Sequence, residues 1–296
     1  MREDPRVTRP IFFSLATAAL LGAFPIASAQ AQGGPPVAKP PAESGVGGSA
    51  EGARDASGFR GKAAAPPAPT PRLPDNPVYG VNAGKPDFGG LAKGMWTVPY
   101  IIDMQKQGRS PSGGTVDVPF TALGKQLFDE RTANHSKDDP EGYCLPPGVP
   151  RMMYTPYPTE IFQMADRILF IYEGGAHVWR IVWMDGRKQP VDPNPTYLGY
   201  SVGHWEGDTL VVDTIGFNDR TWLDAAGHGH GEKLRVTERY SRPDSNTLRV
   251  EATIDDPDYY TKPWGVVTTA RWTPGQELME YICQENNRDI NHLVGK

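Results

Sequence analysis

His228-Gly229-His230, shortly after Asp224, puts two imidazoles and a carboxylate into one short stretch. A histidine beside an aspartate suits general acid–base work near neutral pH. The same groups could ligate zinc or iron. Their spacing fits no helical zinc signature, however, and glycines at 227, 229 and 231 make the stretch a loop. Metal binding by His228 and His230 is therefore the secondary expectation, and no cofactor is required. His204 lies upstream, and Asp213 and Glu238 complete the set of candidates for proton transfer. No nucleophile accompanies them. Ser201 lacks a Gly-x-Ser-x-Gly elbow, residues 244–246 read as a hairpin turn, and there is no phosphate-binding glycine loop.

Arg180 is the other reactive position. It alternates with Val178, Val182 and Met184, while His177, Trp179, Ile181 and Trp183 take the opposite face. Both faces are largely apolar, so a buried Arg180 needs either a carboxylate partner, with Asp213 and Glu238 as candidates, or an anionic ligand. Asp213 shares a face with Thr209 and Val211, and its direction, inward or outward, is open. Glu238 shares a face with Leu234 and Val236, an unusual setting for a carboxylate. Aromatic candidates for a ligand pocket are Trp179, Trp205, Trp222, Tyr260 and Trp264. The last two lie on a long connection that could close over an apolar molecule.

These residues must be positioned by strands. Alternating segments at 160–164, 168–172, 177–184, 197–205, 209–215, 234–240, 247–254, 265–272 and 277–283 are separated by close turn signals such as Gly207-Asp208 and Pro274-Gly275. A further segment at 95–102 reads as a leading strand or extended arm. Phe120, Leu123, Leu127 and Phe128 predict one face of a short helix. The fold class is all-β. An antiparallel up-and-down, calycin-like barrel of about 8–10 strands, with that short N-terminal helix, removes the edges a long meander would expose. A β-sandwich is the alternative.

Residues 1–31 read as a cleavable signal peptide: Arg2, Arg6 and Arg9 precede an apolar run, and Ala27-Ser28-Ala29 is a small-x-small cleavage site. Residues 32–89, rich in Pro, Gly and Ala, read as a disordered linker. The folded domain is expected over 90–296. Export makes a disulfide between Cys144 and Cys283 the expected state of the two cysteines. In the chain-entropy view, closing so long a loop contributes about 4–5 kcal/mol. A formal net charge of −5 gives no reason to expect nucleic acid as a partner. No later segment predicts stable membrane insertion after signal cleavage, so the location expected is periplasmic or secreted.

The chain resembles a widespread family of exported bacterial proteins of uncharacterised function. The likeness runs through Cys144-Leu145-Pro146-Pro147-Gly148-Val149-Pro150-Arg151, Trp183-Met184-Asp185-Gly186-Arg187, and Gly203-His204-Trp205-Glu206-Gly207-Asp208-Thr209-Leu210-Val211-Val212-Asp213-Thr214. It continues in Asp256-Pro257-Asp258-Tyr259-Tyr260-Thr261-Lys262-Pro263-Trp264 and Cys283-Gln284-Glu285-Asn286-Asn287, and covers roughly 90–290. The resemblance implies no particular activity, and a lipocalin-like barrel is a likeness of architecture alone. The function expected is binding of a small apolar or aromatic molecule in the barrel, with Arg180 and Asp213 orienting its polar end. The alternative is a metal-independent lyase, isomerase or hydrolase using Asp213, Glu238 and a histidine from 204, 228 or 230.

Overall fold

Nine strands close into one barrel in the computed structural model, which describes residues 67–285. The expected signal peptide and the linker up to residue 66 lie outside the described residues. The strands are β1 (Gly94–Thr97), β2 (Thr159–Gln163), β3 (Arg167–Tyr172), β4 (Trp179–Trp183), β5 (Tyr200–Glu206), β6 (Thr209–Ile215), β7 (Arg235–Asp244), β8 (Thr247–Asp255) and β9 (Trp264–Pro274). Neighbours in sequence are neighbours in the wall, and β1 pairs with β9 to close it. The pairings are antiparallel except β4 with β5. That exception corrects a wholly antiparallel barrel for a topological reason. Directions cannot alternate all the way round a closed ring with an odd number of strands, so one neighbouring pair must run parallel. The connection between Met184 and Gly199 carries the chain back along the wall to allow it.

The closing strand also differs from expectation. Residues 277–283 are not a strand; they leave β9 and are tied to the barrel by the Cys144–Cys283 disulfide. Their alternation finds no free edge, because β1 already occupies the flank of β9. The folded part begins before residue 90 as well. Leu73 and Phe88 are buried, Arg72 pairs with Asp208 at 2.5 Å, and Lys85 donates to the Gly207 carbonyl. Residues 67–89 thus include a strap across the β5–β6 hairpin, because two apolar anchors and two cations interrupt the Pro/Gly/Ala composition.

Alternation sorts the wall into faces. Ile161, Ile168, Phe170, Val182, Leu210, Val212, Val236, Val250, Ala252 and Val266 are buried and form the core. Tight hairpins β2–β3, β5–β6 and β7–β8 lie at one end. The long connections β1–β2, β6–β7 and β8–β9 gather at the other and build a cap. Short helix α1 (Met104–Gln107) and helix α2 (Ala122–Ala133) belong to it; α3 (Gly174–His177) joins β3 to β4. Thr121 caps α2 by accepting from the Gly124 amide and donates to the Asp258 carbonyl. Gly124 is required there: a Cβ would lie 2.2 Å from the Tyr259 carbonyl oxygen. No helix among the described residues is long and apolar enough to cross a membrane.

Candidate functional site

Inside the barrel, β4 delivers Arg180 and β7 delivers Glu238, both buried. The guanidinium Nη2 donates to Glu238 Oε2 at 2.5 Å and to Thr214 Oγ1 at 2.8 Å, while Nε donates to Ser201 Oγ at 2.9 Å. Tyr240, two residues along β7, donates its hydroxyl to the other Glu238 oxygen at 2.7 Å. Phe170 faces the guanidinium with its ring centroid 5.8 Å away. The pair is therefore hydrogen-bonded on several sides, the condition under which a buried charge pair is tolerated.

Two more phenols enter this cluster. Tyr172 reaches it from β3, and Tyr154 from the cap. Burial, with the Glu238 charge adding to it, holds the Tyr154 and Tyr240 phenols well above their ordinary range. Burial is also the main cause for Tyr172, with Arg180 opposing it. Burial alone would lower the Arg180 pKa, but Glu238 overcomes it and keeps the guanidinium charged. Among the described residues, Arg180 Nη1, Tyr154 OH and Tyr172 OH make no well-formed hydrogen bond, although the Tyr172 hydroxyl lies close enough to the Arg180 guanidinium to interact with it.

A second cluster lies in the cap. His228 Nδ1 donates to Asp224 Oδ2 at 2.7 Å, and both side chains are wholly buried. The same carboxylate accepts from the backbone amides of Met104, Ala226, Gly227 and His228. The His228 ring packs against Phe120, stacked at 5.5 Å, and Phe128 at 4.4 Å, which also touch each other at 5.2 Å, with Trp264 at 6.1 Å. His228 Nε2 and Trp264 Nε1 are buried without partners among the described residues. Asp103, Asp224 and His228 each bring one ligand atom within 4.8 Å of the others, which makes them the set that could hold a metal. All three are engaged already: Asp224 and His228 with each other, and Asp103 as the cap of α1 and the partner of Lys106 at 2.9 Å. Although burial opposes it, Lys106 lowers the Asp103 pKa.

His230 does not join His228 in that set. Its Nδ1 donates to the Gly231 carbonyl at 3.0 Å, which leaves Nε2 to accept from the Thr221 hydroxyl at 2.6 Å. Asp213 is half-buried and faces outward, opposite in phase to inward-facing Thr214, and accepts from Thr237 at 2.7 Å. It cannot orient a ligand beside Arg180 from that side of the wall. His204 is exposed and lies 3.3 Å from Glu206. Trp179 is 61% exposed and walls an external groove of about 440 Å³ with Leu169, Ile181 and Met279. Trp205 lies under the strap, its Nε1 donating to Asn82 at 2.9 Å. Trp222 stacks on the Arg131 guanidinium at 4.7 Å, and Tyr260 donates to the Gly229 carbonyl at 2.7 Å.

The candidates thus separate into a barrel pair (Arg180, Glu238), a cap group (His228, His230, Trp222, Tyr260, Trp264) and outer-face residues (Asp213, His204, Trp179, Trp205). Sequence reasoning did not single out Tyr172, although its alternation with Ile168 and Phe170 signals an inward direction. Tyr154 had no such signal, since it sits in an irregular segment. Comparison with known proteins finds no matching family model, curated protein or solved structure.

Proposed function

We propose that this is an exported barrel that binds a small, largely apolar molecule through an oxygen acceptor directed at Arg180, Tyr154 and Tyr172. The observation that carries this reading is the group of three donors without a well-formed hydrogen bond, Tyr172 and Arg180 meeting only loosely, around one ion pair. Buried polar groups in native proteins are nearly all bonded, and each exception costs about 1–3 kcal/mol. A ligand that brought an acceptor to them would recover that cost as affinity. Its head is best neutral, a ketone, ester or amide carbonyl. Glu238 already balances Arg180, so a carboxylate ligand would place a second anion beside a single buried cation. Phe170, Val182, Val212 and Val236 belong to the packed core of the barrel, so the rest of the molecule would have to be taken up among these apolar side chains. Export is supported by the leader-like residues 1–31 and the disulfide, and the motif likeness to exported bacterial proteins points the same way.

Tyr172→Phe and Tyr154→Phe test this directly, because each removes a hydroxyl that makes no well-formed hydrogen bond among the described residues. The expected outcome is an unchanged or raised melting temperature together with roughly tenfold weaker binding of an aromatic ketone probe. The probe comes from a panel of aromatic ketones, matched alcohols and carboxylates, titrated against tryptophan fluorescence. Equal affinity of wild type and both variants for every probe would sink the reading.

A further inference from the structure

We propose a second site, independent of the barrel interior, in which the pocket beside the Cys144–Cys283 disulfide binds a small quaternary ammonium compound. The pocket, open to solvent on one side and about 590 Å³ in volume, is lined by Tyr100, Tyr157 and Tyr281 with Asp139, Glu141 and the Arg151 that pairs with both. The volume falls in the range that holds small ligands. Tyr157 and Tyr281 have ring centroids 4.8 Å apart at 47° to one another, and the Tyr157 hydroxyl donates to that of Tyr281 at 2.9 Å. The disulfide lies two residues beyond Tyr281 and holds that segment against the β1–β2 connection. Its position explains how a ring from the chain that follows β9 comes to complete the wall.

Charge complements the rings. Arg151 is buried and bonds Asp139 twice at 2.7 Å; its Nη2 also lies 2.7 Å from Glu141. One guanidinium therefore faces two carboxylates, leaving a residual negative field at the pocket. Burial is the first cause of the raised Tyr100 pKa, with Glu141 and Asp139 adding to it and Arg151 opposing; Tyr157 is raised by burial and by Tyr281, with a smaller contribution from Glu141. A field that opposes a phenolate attracts a cation, and tyrosine faces add their own attraction.

The hydrogen bonding selects among cations. Asp139 spends its oxygens on Arg151 and the Glu141 amide, and Glu141 spends its own on Arg151 and the Thr155 hydroxyl. A primary ammonium would need acceptors for its N–H groups and would compete for these. An alkylated ammonium has no N–H to satisfy, is weakly hydrated, and uses only ring faces and field.

The test is calorimetric titration of the oxidised full-length protein with choline and with its neutral isostere 3,3-dimethylbutan-1-ol. Saturable choline binding that weakens with added sodium chloride, with none of the alcohol at the same concentration, is the expected result. Tyr281→Leu should weaken choline by roughly tenfold, whereas Tyr281→Phe keeps the ring and the affinity. Tyr172→Phe should leave choline binding unchanged, which separates this site from the barrel. Equal binding of the alcohol, no choline binding at tens of millimolar, or an unaffected folded Tyr281→Leu variant would each overturn the proposal. If Tyr281→Leu does not fold, the choline–alcohol pair on the wild type decides alone.

Discussion

Arg180–Glu238 in the barrel and Asp224–His228 in the cap are both withdrawn from water, and each retains one nitrogen without a well-formed hydrogen bond among the described residues. They differ in what holds them. The barrel pair is carried by strands held in the wall, Arg180 opposite Phe170 and Glu238 flanked by Val212 and Ala252, and its support comes from the side chains of Ser201, Thr214 and Tyr240. In the cap, Asp224 gathers four backbone amides from two connections, so the carboxylate is itself what shapes the loop. The wall would keep its form without its ion pair; the cap would not keep its form without Asp224. A fixed wall can present spare donors to a ligand, whereas the cap dyad is occupied with building its own surroundings.

Breaking the barrel pair should produce the largest effect. Glu238→Gln or Arg180→Met alone leaves the other group buried with a missing partner, at a cost of about 3–5 kcal/mol read from the urea midpoint. The double variant Arg180→Met/Glu238→Leu should recover most of that loss, since neither charge then remains. A double variant as unstable as the sum of the singles would show that the wall depends on the pair, and the contrast with the cap would fail.

The cap should respond in a different pattern. Asp224→Ala strands the Met104 and His228 amides, since those of Ala226 and Gly227 keep backbone acceptors, and should cost about 2–3 kcal/mol. His228→Phe keeps an aromatic ring against Phe120 and Phe128 and removes only one of the bonds to Asp224, so its cost should stay below about 1 kcal/mol. Hydrogen exchange at the amides of Met104 and residue 228 distinguishes the variants: protection is lost in the first and kept in the second. The reverse order would make the imidazole the organiser.

The contrast was only partly legible in the sequence. Strand β6 was readable to its ends because Leu210, Val212 and Thr214 alternate with outward residues between a Gly-Asp turn and Gly216. Glu238 betrayed itself by its apolar company on β7. Residues 277–283 misled because alternation reports a half-buried strand but not whether a partner edge is free, and closure by β1 is a long-range event. Asp213 was ambiguous because Val211, Val212 and Thr209 supply apolar or small neighbours to both faces. The loop donors to Asp224 were invisible for a simpler reason: they are backbone amides, one of them from Met104, and backbone groups carry no sequence signature.

The smallest effect concerns the second cap histidine, whose nitrogens are both used. Burial is the main cause that holds His230 below its ordinary value of 6.5, with the Gly231 carbonyl and Asp256 opposing it. The folded state therefore resists protonation more than the unfolded chain does. Above 6.5 the group makes no pH-dependent contribution. Between its folded value and 6.5 the unfolded chain binds the extra proton, so stability falls as the pH drops, and the loss is complete below the folded value. Urea midpoints measured from neutral pH downward should show this slope in the wild type and a flatter one in His230→Gln. Protonation also sets Nε2 against the Thr221 hydroxyl, which would have to turn its proton away, so a proton resonance on Nε2 should grow in over the same range. Identical slopes for wild type and His230→Gln would show that His230 is not the group through which the cap responds to pH.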